Sequence, residues 1–505
     1  MILCRQNLKN IHAEGRKGLA DSLFSLPEKV LQFGTGVLLR GLPDYFIDKA
    51  NRLGMFKGRV IVVKSTDGGD TAAFEKQDGL YTLCIRGLDN GKPVEENIIN
   101  ASISRVLSAS RQWNAILECA YLPDLKIIIS NTTEVGIQLV NENINQQPPV
   151  SYPGKLLAFL FERFRAFHGM SGSGMVIIPT ELIVDNGKKL KSIVLELANF
   201  NRLGNEFIQW LQNDNYFCSS LVDRIVPGKP EKDKKEKWEA SMGYQDELMT
   251  VAEVYRLWAI EGNDYVRSVL SFAEADEGVI IAHNIDLFRE LKLRMLNATH
   301  TLSCGIAFLS GFDTVKQAMH SNWMSSYINN TMMNEIAPAI PYELDIKVAR
   351  EYGSKVLDRF RNEYIEHYWI NITLQYTSKL RMRVVPVLKH YFQLFQSPPA
   401  NIALGFAAWL LFMRSIRKEG NQYLGVWQGK EYPIKDDSAG LLYKYWGNQE
   451  YTSEIAAILG NADLWGDDLD NLPGFTAAVR QKLDQMLDMG VDKTIQLNQS
   501  TKVIP

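Results

Sequence analysis

The chain has 505 residues, of which 46% are hydrophobic and 22% charged, with a formal net charge of -3. This length exceeds one ordinary domain and predicts two, and intermixed charge near neutrality leaves no footprint for nucleic acid or an anionic membrane surface. Five scattered cysteines (Cys4, Cys84, Cys119, Cys218, Cys304) without a C-x-x-C pair, and an N-terminus without a signal-peptide pattern, predict reduced thiols in a soluble, cytoplasmic protein.

In chain order, residues 30–33 form a short strand, and residues 60–63, rich in β-branched side chains, a second. Residues 79–85 look like part of a hairpin. Residues 125–130 and 175–178 are a third and a fourth strand, with helical patterns at 112–120 and 155–167. Strands alternating with helices predict a mainly parallel α/β sheet. The charged stretch 229–239 reads as a solvated loop or arm. From about residue 285 helical periodicity dominates, at 315–328, 342–359, 368–388, 402–416 and 475–489. The apolar run 402–413, following Pro398 and Pro399, is too short to span a bilayer and reads as a core helix. The expected architecture is a dinucleotide-binding domain over residues 1–284 and a mainly α-helical domain over 285–505.

After the first strand comes Gly34-Thr35-Gly36, leading into an apolar helix. The first glycine permits the tight turn, and the second lets backbone N–H groups approach a pyrophosphate. Leu39 holds the third fingerprint position, Gly41 is placed to supply the close packing, and Arg40 is placed to add a charge near the phosphates. An acidic residue at the end of the second strand would bind a ribose 2′-hydroxyl and favour NAD. Lys64 holds that place, with Asp67 and Asp70 slightly later, so these residues leave NAD and NADP both open.

The stretch from Leu291 to Leu302 puts Lys292, Arg294, Asn297 and His300 inside an otherwise apolar helix. Asn297 and His300, three apart, are neighbours on one face. Lys292 and His300 lie about 12 Å apart along an α-helix axis at ~1.5 Å per residue, so the lysine needs its long stem, or a break in the helix, to join them. The set suits carbonyl–alcohol interconversion. A desolvated lysine can take or give the hydroxyl proton, and amide and imidazole N–H groups can hold a developing oxyanion. The alternative is a lysine snorkelling at a helix start and a satisfied core histidine. No metal-ligand spacing surrounds His300, and metal-free catalysis is expected.

K-x-x-x-x-N-x-x-H, here Lys292, Asn297 and His300, and G-x-G-x-x-x-R, here Gly34, Gly36 and Arg40, resemble the signatures of the mannitol dehydrogenase family, the polyol-specific long-chain dehydrogenases. The segments from Gln77 to Thr82, Ser130 to Gly136, Val222 to Gly228 and Met295 to Thr301 are similar to members that act on hexuronates. The resemblance implies a Rossmann-type N-terminal domain and a helical C-terminal domain. It implies NAD as cofactor, metal-independent hydride transfer with Lys292 as acid/base, and Asn297 and His300 on the substrate oxygens. It also implies Asn131 near the nicotinamide ribose. The implied reaction is reversible reduction of tagaturonate to altronate, a small sugar acid. Alternatives are reduction of fructuronate, a mannitol-type polyol oxidation, a lysine-dependent hydroxyacid dehydrogenase, or a non-enzymatic NAD-binding sensor.

Two departures from the family pattern stand out. Leu182, in Thr180-Glu181-Leu182, holds the place of a second oxyanion asparagine. Asn371 stands eight residues before Lys379, where family members carry a substrate-contacting arginine. A uronate carboxylate needs a cation, for which Lys379, Arg381 and Arg383 are candidates. Tyr255 and Trp258 are candidate sugar-lining aromatics.

Overall fold

The computed structural model describes residues 1–12, 19–66, 71–132, 136–446 and 451–500. The chain divides into two compact units: Met1–Arg86 with Pro93–Ile285, and Gly87–Lys92 with Asp286–Pro505.

Unit 1 is built on six strands: β1 (Glu28–Phe33), β2 (Arg59–Lys64), β3 (Ile103–Ser108), β4 (Ile127–Ser130), β5 (Val176–Pro179) and β6 (Tyr216–Phe217). They are ordered β3-β2-β1-β4-β5-β6, and every pairing is parallel. This is the doubly wound order 3-2-1-4-5-6, whose switch point lies between β1 and β4. Side chains alternate between two buried faces. Val30, Val60, Val62, Ile127 and Ile129 join one core with the helix Pro43–Arg52. Leu31, Phe33, Ile61, Val63 and Ile128 join the other, with the helices Tyr152–Ala166 and Asn186–Phe200. Strands buried on both faces read as continuous apolar runs, which is why V-I-V-V was conspicuous in the sequence.

The 79–85 segment opens a hairpin, Tyr81–Asp89 with Lys92–Asn100. Its turn residues Asn90 and Gly91 both have positive φ, 50° and 73°, the requirement of the tight hairpin turn. The 229–239 segment differs from its expectation. It supplies most of a helix, Lys232–Met242, none of whose residues is buried. Pairs spaced three and four apart, such as Lys234 with Glu231 and Lys235 with Glu239, line it, and such pairs support an exposed helix.

Among its described residues unit 2 is mainly helical, with the hairpin tip Gly87–Lys92 and an antiparallel three-stranded sheet, Ser415–Glu419, Gln422–Trp427 and Lys430–Ile434. Helical periodicity did not reveal this sheet, and the expected helix over 402–416 stops at Phe412. That helix, Ala400–Phe412, is buried along its length. Its first turn is capped by the buried Glu335 carboxylate, which accepts from the N–H groups of Asn401 (2.9 and 3.0 Å) and Ile402 (2.9 Å). The expected 368–388 helix is three: Trp369–Ile372, Tyr376–Arg383 and Val385–Phe395. Gln375 in the left-handed region (φ 53°) and Pro386 in a first helical turn cause the breaks. Among the described residues no helix is long and apolar enough to cross a membrane.

Candidate active site

In unit 1 the residues of interest gather at the carboxyl ends of β1, β4 and β5, beside the switch point. Gly34 has φ 130°, and a Cβ there would lie 2.9 Å from Leu39 Cδ1 and 3.0 Å from the Asn131 carbonyl oxygen. Only glycine fits that turn. Gly36 is exposed, with nothing nearer to an added Cβ than Asn131 Oδ1 at 4.0 Å. A ligand can therefore approach this backbone closely. Gly41 packs on Val226, which a Cβ would meet at 2.8 Å, so it does provide the tight contact expected of the third glycine.

Arg40 is turned inward. Its Nη1 donates to the Thr35 carbonyl (2.7 Å) and its Nε to Thr250 Oγ1 (3.3 Å), with Phe74 and Tyr81 beside the guanidinium. In this arrangement it braces the glycine turn from behind. Asn131 donates through Nδ2 to Thr180 Oγ1 (3.0 Å). Glu181 accepts from the Thr132 N–H (2.8 Å), the Thr132 hydroxyl (3.0 Å) and the Ser130 hydroxyl (3.2 Å). Thr180 and Glu181 thus hold the end of β4. Leu182, in the place of the family asparagine, is 65% exposed. Lys64 is buried and bonded to the Thr66 carbonyl. Asp67, Asp70 and residues 133–135 of the 130–136 motif lie outside the described residues.

In unit 2 one continuous helical run carries the lysine, the amide and the histidine. The α-helix Asp286–Leu291 passes into a π-helix, Lys292–Ala298, then into the α-helix Thr299–Leu309. In an α-helix five residues turn through ~500°, leaving Lys292 and Asn297 roughly 140° apart. In a π-helix the hydrogen bond closes five residues on, so the two stand nearly above one another. Three residues later, in restored α-register, His300 follows on the same side. The π-segment turns Lys292 toward the face that carries Asn297 and His300, leaving its long stem to cover the axial distance, and such segments recur at functional sites.

Arg294 holds this segment in place. It donates to Glu290 (2.8 Å) and to the terminal carbonyls of the helix Tyr376–Arg383, at Met382 (2.7 Å) and Arg383 (2.9 Å). The Thr301 hydroxyl donates to the Asn297 carbonyl (2.8 Å) and accepts from Arg383 Nη1 (3.1 Å).

His300 is 8% exposed, and its ring stacks flat on Phe360 (centroids 4.1 Å apart, interplanar angle 4°) with His367 edge-on at 5.0 Å. Nε2 is buried without a protein partner. Burial first, then neighbouring His367 and the positive groups Arg359, Arg383 and Lys379, hold its pKa well below the usual imidazole value. It is therefore neutral, able both to donate and to accept. Lys379, half-buried, donates to the Ile372 carbonyl (2.9 Å), and burial followed by Arg383 lowers its pKa. Lys379 and Arg383 are four apart on one helix face. Arg381 is exposed on the opposite side and donates to the Asp463 carbonyl (3.2 Å), so it is not brought to His300. Asn371 is exposed as well.

The aromatic candidates separate. Tyr255 is half-buried. Trp258 is completely buried in the unit 1 core, stacked with Phe272 and Phe46 (5.6 and 6.5 Å), and has no face left for a sugar; that expectation is withdrawn. Sequence reasoning missed Phe360 and His367, which pack on His300, and the clamp by Arg294. Nothing local marks the first two, since the tertiary fold alone carries residues 60 or so positions away onto His300. Among the described residues no group of three or more His, Cys, Asp or Glu side chains is arranged to hold a metal ion.

Comparison with known proteins gives consistent results over both units. The profile described as the mannitol dehydrogenase Rossmann domain matches residues 28–273, and that of the mannitol dehydrogenase C-terminal domain matches residues 284–487. The altronate oxidoreductase of Bacillus subtilis (strain 168) is 37% identical over 485 residues, covering 95% of this chain and 97% of that one. The altronate oxidoreductase of Halalkalibacterium halodurans is 36% identical over 479 residues, covering 93% of each. Among solved structures, a Pseudomonas fluorescens mannitol 2-dehydrogenase in ternary complex with NAD and D-mannitol has a TM-score of 0.67 at 21% identity, covering 99% of this chain and all of that one. A D-sorbitol dehydrogenase in substrate-free form has a TM-score of 0.73 at 20% identity, covering 98% and 100%. At these identities the two structures speak for the fold.

Proposed function

The chain belongs to the mannitol dehydrogenase family of oxidoreductases, and from that premise we propose that it catalyses the reversible, NAD(H)-dependent reduction of tagaturonate to altronate. The observation that carries the chemistry is the π-helical turn that sets Lys292 and Asn297 on one face ahead of a neutral His300. The observation that favours a sugar acid is the similarity to altronate oxidoreductases across more than nine-tenths of the chain.

The glycine turn, tight at Gly34 against Leu39 and Asn131 and open at Gly36, suits a dinucleotide pyrophosphate and ribose. The bound nicotinamide supplies or accepts the hydride. Lys292, as ammonium, gives its proton to the carbonyl oxygen as the hydride reaches the carbon, so that the ketone becomes a secondary alcohol. In the oxidation the neutral amine takes the hydroxyl proton. The Asn297 amide N–H holds the oxygen while it carries negative charge. His300, neutral at physiological pH, bonds a neighbouring hydroxyl and orients the sugar without adding charge. Lys379 and Arg383 supply positive charge for the acid group. The acid/base work rests on these side chains and needs no metal. Five free thiols fit a reducing, cytoplasmic setting.

The test is a substrate panel of tagaturonate, fructuronate and fructose, each with NADH and with NADPH. Tagaturonate with NADH is expected to give the highest kcat/KM, and a chelator is expected to leave turnover intact. Reduction of fructose alone refutes the uronate assignment. Lys292→Ala is expected to lose on the order of 10²–10⁴-fold in kcat while still binding NADH; unchanged turnover refutes the mechanism.

A further inference from the structure

Asn297 lies in the π-helix Lys292–Ala298 and is bracketed by two buried side chains that bond one and the same residue. Three positions before it, Arg294 Nη1 donates to the carbonyl of Arg383 (2.9 Å). Four positions after it, Thr301 Oγ1 accepts from Arg383 Nη1 (3.1 Å). Arg383 ends the helix Tyr376–Arg383, so the main chain and the side chain of a single residue grip the helical run on both sides of its amide. The Thr301 hydroxyl has one proton to give. A guanidinium donates and cannot accept, so that proton is committed to the Asn297 carbonyl, to which it donates at 2.8 Å. A charged donor makes the stronger kind of hydrogen bond, and bonds in a buried chain polarise one another. The grip also bears on register. A π-turn is rare and closes its hydrogen bonds one residue later than an α-turn. A slip back to α-register would carry later residues about 100° around the axis. Asn297 would leave the side of Lys292, and Thr301 would leave Arg383 while Arg294 stayed.

We propose that Thr301 and Arg383 are positioning residues for Asn297: Arg383, acting through the Thr301 hydroxyl, holds the π-register that aims the amide at the reacting oxygen. Neither residue needs to touch that oxygen. The positive charge that Arg383 offers an acid group is a separate contribution, felt in KM, whereas the relay through Thr301 is felt in kcat. The inference rests on the role of Asn297 in the reduction given above and adds the residues that aim it.

The experiment uses the full chain with NADH and tagaturonate, for wild type, Thr301→Val, Thr301→Ser, Arg383→Met and the double variant Thr301→Val with Arg383→Met. Valine keeps the shape of threonine and removes the hydroxyl. A misplaced amide costs rate, so Thr301→Val is expected to lose on the order of 10–10²-fold in kcat, with KM for tagaturonate changed by less than about threefold. Thr301→Ser restores the hydroxyl and is expected to keep most of the wild-type kcat. Arg383→Met is expected to lose kcat by a factor similar to Thr301→Val and to raise KM as well. The double variant is expected to lose no more kcat than Thr301→Val alone, because the two residues act through one chain of bonds. A wild-type kcat in Thr301→Val, an equal loss in Thr301→Ser, or losses that multiply in the double variant overturn the proposal. Amide hydrogen exchange over residues 292–301 needs no substrate and separates this proposal from the assigned activity. A wild type inactive on tagaturonate, with exchange faster in Thr301→Val and unchanged in Thr301→Ser, keeps the relay and overturns the activity. Wild-type exchange in Thr301→Val overturns the relay. If Thr301→Val does not fold, judged by NADH binding, Arg383→Met decides: faster exchange over this segment supports the grip, and wild-type exchange refutes it.

Discussion

Replacing Arg294 by methionine tests whether the clamp between the π-segment and the helix Tyr376–Arg383 positions the site. The side chain is 7% exposed and makes four bonds, two to Glu290 (2.8 and 3.5 Å) and one each to the carbonyls of Met382 (2.7 Å) and Arg383 (2.9 Å). Methionine keeps the apolar stem and removes all four. Each carbonyl left without its partner costs about 1–3 kcal/mol, and breaking a buried ion pair on one side costs about 3–5 kcal/mol. These overlap, so the expected destabilisation is about 3–5 kcal/mol. With a urea slope of about 2–3 kcal/mol per molar, the unfolding midpoint moves down by roughly 1–2 M. The freed helix end also carries Arg383, so KM for tagaturonate is expected to rise about tenfold, with a smaller fall in kcat. Urea unfolding followed by tryptophan fluorescence and steady-state kinetics on the same preparation provide both readings. A midpoint within about 0.3 M of wild type refutes the clamp. A lowered midpoint with unchanged KM refutes its link to the substrate.

Other substitutions probe separate parts of the argument. Asp44 is fully buried against Gln32, and burial raises its pKa to about 7. A folded-state value above the unfolded 3.8 means that the stabilisation is complete below about pH 4 and lost as pH rises to 7. Over about 3 units at 1.36 kcal/mol each, that is about 4 kcal/mol. Asp44→Asn is therefore expected to stabilise the protein far more at pH 8 than at pH 4, and an equal gain at both pH values in urea titrations contradicts this. Gly34→Ala forces a Cβ against Leu39 and the Asn131 carbonyl at positive φ, a strain of about 1–3 kcal/mol. NADH affinity by calorimetry should fall at least ~10-fold, and wild-type affinity would show that the turn does not hold the cofactor. The His300 pKa lies well below 6.5, so its ring proton resonances should not titrate between about pH 6 and 8. Stability should drop as pH falls below the unfolded histidine value, because the unfolded chain takes up a proton that the folded one refuses. A midpoint near 6.5 for that ring rules out its burial among cations.

Much of this protein could be read before any coordinates. The parallel sheet was legible because strands buried on both faces must be apolar throughout, as V-I-V-V is, and because G-T-G after the first strand has one strong physical use. The lysine, amide and histidine stood out because polar groups are rare in so apolar a helix. What could not be read depends on longer reach. Ile402 to Phe412 is helical by composition, but Ser415–Glu419 becomes a strand only because two later strands pair with it. The 368–388 run looked like one helix until a left-handed Gln375 divided it. Trp258 looked like a sugar-binding aromatic and is core, since burial is a property of what packs around a residue. Local sequence determined which chemistry the chain carries, because side-chain type and short spacing are local facts. Tertiary structure alone decided the geometry. The π-turn that brings Lys292 and Asn297 toward one face, and the packing of Phe360 and His367 on the His300 ring, depend on segments far apart in the chain.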